Sequence, residues 1–324
     1  MIHSRQFVLI TLGLTLCFVT TLAEDHQHHG ADSSEDKAKK TVKPPRIFLD
    51  KSPRIVQYQL KRLSNERLLL VERRSDHKKY APVHVAILSR AGMPRVHREE
   101  ALNALVSIRK SSRAEELLGA LSSLKQKGRQ RERTVAQLAT ILLAEPQTAL
   151  ATAASAFESA VASSDPSSRS IGFAGLIAGG GSEKAWTLAE KSFETKYDWL
   201  TAIPRLPDPA TRDSLRAAIV KLCGSGEVVK VRRAAIAALK SIEAETAATF
   251  ELLVELVSEP ELRSTAVGTL LTVPAKERGA AASRKLLDLL VNASENTAAA
   301  DRTSDEFLNG LQLIDQSLVS VDAA

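Results

Sequence analysis

Seven histidines and two cysteines are the side chains of this 324-residue chain best able to hold a metal or drive nucleophilic chemistry. His97-Arg98-Glu99-Glu100 lacks the second histidine one helical turn on that would complete a zinc-binding HExxH helix. His26, His28 and His29 crowd into a tract of a kind that can bind transition metals, but the surrounding segment offers no fixed further ligand. His84 falls in an apolar helical stretch and reads as a packed core histidine. Cys17 lies in the N-terminal apolar run, so Cys223 stands alone after it, and neither CxxC nor CxxCH occurs. Cys223 ends the apolar stretch Leu215–Cys223 and reads as a small core residue. No GxSxG elbow appears, and Gly179-Gly180-Gly181-Ser182 lacks the Gly-Lys-Ser/Thr of a phosphate-binding loop, so it reads as a turn. Glu99-Glu100 and Glu115-Glu116 are adjacent pairs whose side chains diverge around a helix instead of forming an acid–base dyad. The expectation is a non-enzyme with no catalytic residue, no cofactor-binding residue and no metal site.

The elements that carry these residues are predicted to be helices throughout. Aromatic residues make up 4% of the chain, too few for a compact β-sandwich or barrel, while alanine and leucine, strong helix formers, abound. Prolines recur every few tens of residues, mostly where a helix would begin. Ahead of them, Met1–Ala23 has the parts of a signal peptide: Arg5, an apolar run over Phe7–Val19, and small residues at Thr21 and Ala23. Cleavage is expected after Ala23, which places the protein outside the cell or in a periplasm, with no membrane span left. Residues 24–50 are polar and are expected to form a disordered linker, and residues 51–324 the folded body. Charge divides that body. Residues 51–133 hold 20 basic and 8 acidic side chains, net +12, whereas residues 134–324 hold 18 and 24, net −6.

Self-similarity organises it further. In Val231–Leu239, Arg232 is followed by small residues at +3 and +6 (Ala235, Ala238) and by Leu239 at +7. The same register recurs at Arg98 (Ala101, Ala104, Leu105), Arg169 (Gly172, Gly175, Leu176) and Arg263 (Ala266, Thr269, Leu270). It recurs at Arg133 with Ala136 and Ala139, but Thr140. These arginines lie 35, 36, 63 and 31 residues apart, and the long gap implies a degenerate unit around Trp199–Leu206. Positions +3 and +6 or +7 share a helix face, where small residues admit a neighbouring helix and leucine fills the groove. The pattern resembles the HEAT repeat, best matched by Val231-Arg232-Arg233-Ala234-Ala235-Ile236-Ala237-Ala238-Leu239. The resemblance covers Arg95 to about Leu290 and implies an all-α, right-handed solenoid of HEAT-like helical pairs.

The front segment carries a second likeness. Pro53–Leu63, Leu68–Val71, Tyr80–Val83 and Arg98–Leu102 resemble the opening of large secreted planctomycete-type proteins, in which a HEAT-like region precedes a blue-copper or c-type cytochrome domain. Two histidines, a cysteine and a methionine would be needed for the copper, yet the last histidine is His97 and the methionines are Met1 and Met93; covalent haem would need CxxCH. No redox residue carries over. The resulting expectation is a secreted non-catalytic scaffold that binds a protein partner through a helical-repeat surface. Its alternative is the front module of a periplasmic electron-transfer protein whose redox domain lies outside this chain. An acidic partner would meet the basic cluster Arg62, Arg67, Arg73, Arg74, Lys125, Lys127, Arg129 and Arg131. Nucleic acid is not expected, because stacking aromatics are scarce and the signal peptide removes the chain from it.

Overall fold

A computed structural model describes residues 44–125 and 127–322; the expected signal peptide, the histidine tract and the expected linker as far as residue 43 lie outside the described residues. The compact unit begins at Pro44, and Ile47 and Leu49 pack half-buried against its core. Among the described residues the chain is all-helical, without a strand. In order, the helices are α1 (Pro53–Lys61), α2 (Asn65–Leu69), α3 (Ala81–Ser89), α4 (Arg95–Arg109), α5 (Arg113–Ser122), α6 (Gly128–Leu143), α7 (Gln147–Thr152), α8 (Ala154–Val161) and α9 (Pro166–Ala178). There follow α10 (Ser182–Ala189), α11 (Phe193–Ala202), α12 (Pro209–Ser214), α13 (Arg216–Leu222), α14 (Val229–Ala238), α15 (Thr246–Val257), α16 (Pro260–Leu270), α17 (Ala280–Glu295) and α18 (Asp305–Asp322).

Local chemistry sets many of these boundaries. Pro53, Pro166, Pro209 and Pro260 each occupy the first helical position, where the missing N–H costs nothing. Asp165 and Asp208 cap α9 and α12 with their carboxylates, and Ser112 and Glu115 close a capping box on α5. The Gly179–Gly181 turn ends α9 as expected. Gly180 adopts φ +89, while the Gly181 and Gly180 amides donate to the carbonyls of Leu176 (2.8 Å) and Ile177 (2.9 Å), a Schellman arrangement that needs glycine at its left-handed residue.

Packing is pairwise and repetitive. α3 packs on α4, α5 on α6, α8 on α9, α10 on α11, α13 on α14, α15 on α16 and α17 on α18. Second members then touch one another, α6 with α9, α9 with α11, α11 with α14, α14 with α16 and α16 with α18. First members do so at α3 with α5, α5 with α8 and α15 with α17. One core of leucine, alanine, valine and isoleucine runs from Val56 to Leu313. No helix among the described residues is long and apolar enough to cross a membrane.

The repeat arginines have a shared place. Arg98, Arg169, Arg232 and Arg263 are each the fourth residue of α4, α9, α14 and α16. The expected Arg133 is corrected: it is exposed, and the fourth residue of α6 is Arg131. The reason is packing, because +7 from Arg131 is the fully buried Leu138, whereas +7 from Arg133 is the exposed Thr140. The degenerate unit is α11, with Lys196 fourth, Trp199 at +3 in place of a small residue, and buried Ala202 and Ile203 at +6 and +7. Trp199 packs edge-on against Trp186 of α10, ring centroids 5.1 Å apart. At α9 the small residues are obligatory. A Cβ on Gly172 would stand 2.8 Å from the Phe157 carbonyl oxygen, and one on Gly175 would stand 2.2 Å from the Phe157 ring.

Candidate functional site

Most basic side chains in register are consumed by the fold. The fourth residue of a second helix lies beside the end of the helix before it, where carbonyls lack intrahelical partners. Arg98 is fully buried; it donates to the carbonyls of Leu88, Arg90 (2.6 Å) and Met93 (3.1 Å), and to Gln137 Oε1 (3.1 Å). Burial pulls its pKa down to about 10, so it remains charged at neutral pH. Arg169 reaches the carbonyls of Ser163 and Ser164, Arg232 that of Cys223, and Arg263 that of Val257. A second link runs forward by about one repeat. Arg131 pairs with Asp165 (2.9 Å), Arg169 with Asp198 (2.5 Å), Lys196 with Glu227 (2.5 Å), and Arg232 with Glu259 through two bonds of 2.6 and 2.8 Å.

The basic cluster expected to meet a partner is divided between two segments. Arg62, Arg67, Arg73 and Arg74 lie on the end of α1, on α2 and on the loop after it. Lys125, Lys127, Arg129 and Arg131 lie before and in the first turn of α6. Arg62 folds over the Tyr58 ring, 5.5 Å from its centroid. Arg73 donates to the Leu69 carbonyl and Arg74 pairs with Asp76. Arg131 belongs to the internal ladder just described. Arg67, Lys125, Lys127 and Arg129 are exposed.

Other singled-out residues also fall inside the structure. Burial holds His84 below the usual histidine range, and its Nε2 donates to the Arg74 carbonyl, 3.2 Å away. Burial pushes the Cys223 thiol up to about 12, which leaves it a protonated packing residue. Glu115 serves the α5 cap, while Glu116 is buried between Arg109 (2.7 Å) and Ser111 (2.6 Å). Among the described residues no group of three or more His, Cys, Asp or Glu could hold a metal.

A concavity lies elsewhere, across α11, α14 and α16. It measures about 740 Å³ and is lined by Tyr197, Leu200, Thr201 and Pro204, by Val229, Lys230, Arg233, Ala234, Ala237 and Ala238, and by Thr265. Lys230 and Arg233 are the charged side chains in that lining, and no carboxylate joins them. The Lys230 ammonium stands 4.4 Å from the centre of the Tyr197 ring. Arg233 is tied by Nε to the Glu261 carbonyl at 2.7 Å. Sequence reasoning passed over this groove. Its one visible signal is the Arg232-Arg233 pair, in which Arg232 turns inward to the ladder and Arg233 lines the surface.

Comparison with family models, curated proteins and solved structures finds no match for this chain. The functional reading therefore stands on the groove and the packing that builds it.

Proposed function

We propose that this chain is a secreted, non-catalytic scaffold, a HEAT-like α-solenoid that binds a protein partner on the face made by its second helices. The observation that carries the reading is the groove across three consecutive second helices, α11, α14 and α16. Its volume is in the range of ligand-binding clefts, about 300–1,000 Å³. Its lining is largely alanine, leucine, valine and proline, with Lys230 and Arg233 as its charged groups. Stacked pairs that contact mainly their neighbours support the solenoid reading, since such arrays bury their apolar faces by stacking and present an extended surface.

Site-specific photo-crosslinking tests the proposal. A photoreactive residue at Ala237, on the groove, is expected to capture a defined protein in the source cells. The same residue at the exposed Glu251 of α15 is expected not to. Equal capture at both positions, or none at Ala237, removes the groove as a binding face. The secretion component is checked separately: N-terminal sequencing of the mature protein should begin at Glu24, and retention of Met1 in the exported protein would contradict it.

A further inference from the structure

We propose that the groove across α11, α14 and α16 recognises an acidic segment of polypeptide bearing small aliphatic side chains. This deepens the scaffold reading and rests on it. The first argument is a local inversion of charge. The groove lies within residues 134–324, which carry 18 basic and 24 acidic side chains, yet its lining holds two cations and no acid. Of the acids on or flanking these helices, three are tied to the internal ladder, while Glu194 and Glu261 are exposed outside the groove lining. Asp198 binds Arg169, Glu227 binds Lys196 and Glu259 binds Arg232.

The second argument is that both cations are held in place before any ligand arrives. Lys230 rests on the Tyr197 ring, and Arg233 is anchored through Nε on the Glu261 carbonyl. That bond leaves the end-on face of the guanidinium, Nη1 and Nη2, as the geometry open to a carboxylate. Ordering the cations beforehand removes part of the entropy that binding would otherwise cost.

The third argument concerns shape. Ala234, Ala237 and Pro204 put small side chains in the lining, between the longer Tyr197, Lys230 and Arg233, which suits small aliphatic groups on a ligand. Adjacent helices lie about 8–10 Å apart, so crossing three of them takes about 20 Å. An extended chain rising ~3.3 Å per residue covers that in about six residues.

The test selects a library of random displayed decapeptides on the full chain. The expected winners are enriched in Asp and Glu beside Ala, Val or Leu. A synthetic winner should bind at least tenfold more tightly than its Asp→Asn, Glu→Gln counterpart. The double variant K230E/R233E should lose at least tenfold in affinity for it, while K221E, a reversal at an exposed site on α13, should not. Circular dichroism melting of each variant separates lost binding from lost folding. Winners without acid enrichment, or binding that survives K230E/R233E, overturn the acidic preference. If Ala237 nevertheless captures a protein in the crosslinking experiment, the scaffold reading stands. A selection that yields no binder overturns the proposed ligand class outright.

Discussion

Arg98 carries a full positive charge with no exposure to water, and four acceptors make this tolerable: three carbonyls and the Gln137 amide oxygen. Truncation would strand the Leu88 and Met93 carbonyls in a dry interior. Arg98→Met keeps the stem and removes every donor, and an unsatisfied buried group costs about 1–3 kcal/mol. Chemical denaturation of Arg98→Met is expected to show a loss on the order of 3–5 kcal/mol, the scale of breaking a buried charged network. A loss under about 1 kcal/mol would mean that these carbonyls find water or other donors. A sharper comparison sits in α6. Arg131→Ala removes the bonds to Asp165 and Ser167 and is expected to cost about 1 kcal/mol, the scale of a half-buried charged hydrogen bond. Arg133→Ala, at an exposed position, should stay within about 0.5 kcal/mol of wild type. The reverse order would restore the register centred on Arg133.

Helix α9 shows what that register does at the scale of an element. Its glycines let α8 and α9 approach closely, but against different obstacles. Gly175 faces the Phe157 ring, whereas Gly172 faces the backbone of Phe157 and Val161. Alanine gains about 1 kcal/mol over glycine in a helix interior, while overpacking costs about 1–3 kcal/mol, so both Gly→Ala changes should destabilise. Phe157→Leu, itself destabilising, should take back part of the Gly175→Ala penalty and none of the Gly172→Ala penalty. A double-mutant cycle with equal coupling at both sites would contradict this geometry. The all-helical character was legible in the sequence, and so was the start of most second helices, because this register is local: a basic residue in the first turn, small residues one and two turns on, leucine beside them. It failed where local pattern could not choose. Arg129, Arg131 and Arg133 lie two residues apart, and the deciding fact, that Leu138 is buried while Thr140 is exposed, is tertiary. At α11 the unit was hidden because lysine replaces the arginine and Trp199 replaces the small residue, filling the space against Trp186. The groove was illegible for a related reason: Tyr197, Lys230 and Thr265 meet only when three helices stack.

Across the whole molecule, the titrating groups that couple to folding are spread along the chain, and their signs differ. His84, near the front, is held below the ordinary histidine value by burial, with Arg73 adding to the effect. An unfolded histidine titrates near pH 6.5, roughly its ordinary value in a peptide. The unfolded chain therefore binds more protons just below that pH, and stability falls as pH drops from there toward the depressed folded value. Glu259 is lowered by its hydrogen bonds from Arg232, and Asp165 is lowered because bonds from Ser168 and Arg131 outweigh its burial. Their contributions are present above the ordinary carboxylate range and are lost as pH falls through their folded values. Asp198 runs the other way. Burial raises it despite Arg169, so its contribution is present at acid pH and lost as pH rises through the folded value, which blunts the acid-side decline. Two separate windows result. The thermal midpoint is expected to fall between pH 7.5 and pH 5.5, and again below about pH 4.5, where carboxylates protonate. His84→Gln keeps a donor for the Arg74 carbonyl but cannot titrate, so it should flatten the first decline and leave the second intact. If His84→Gln tracks wild type through the first window, the histidine is not the group that sets it. If it flattens both, the front of the chain and the ion pairs linking its later helices do not titrate independently.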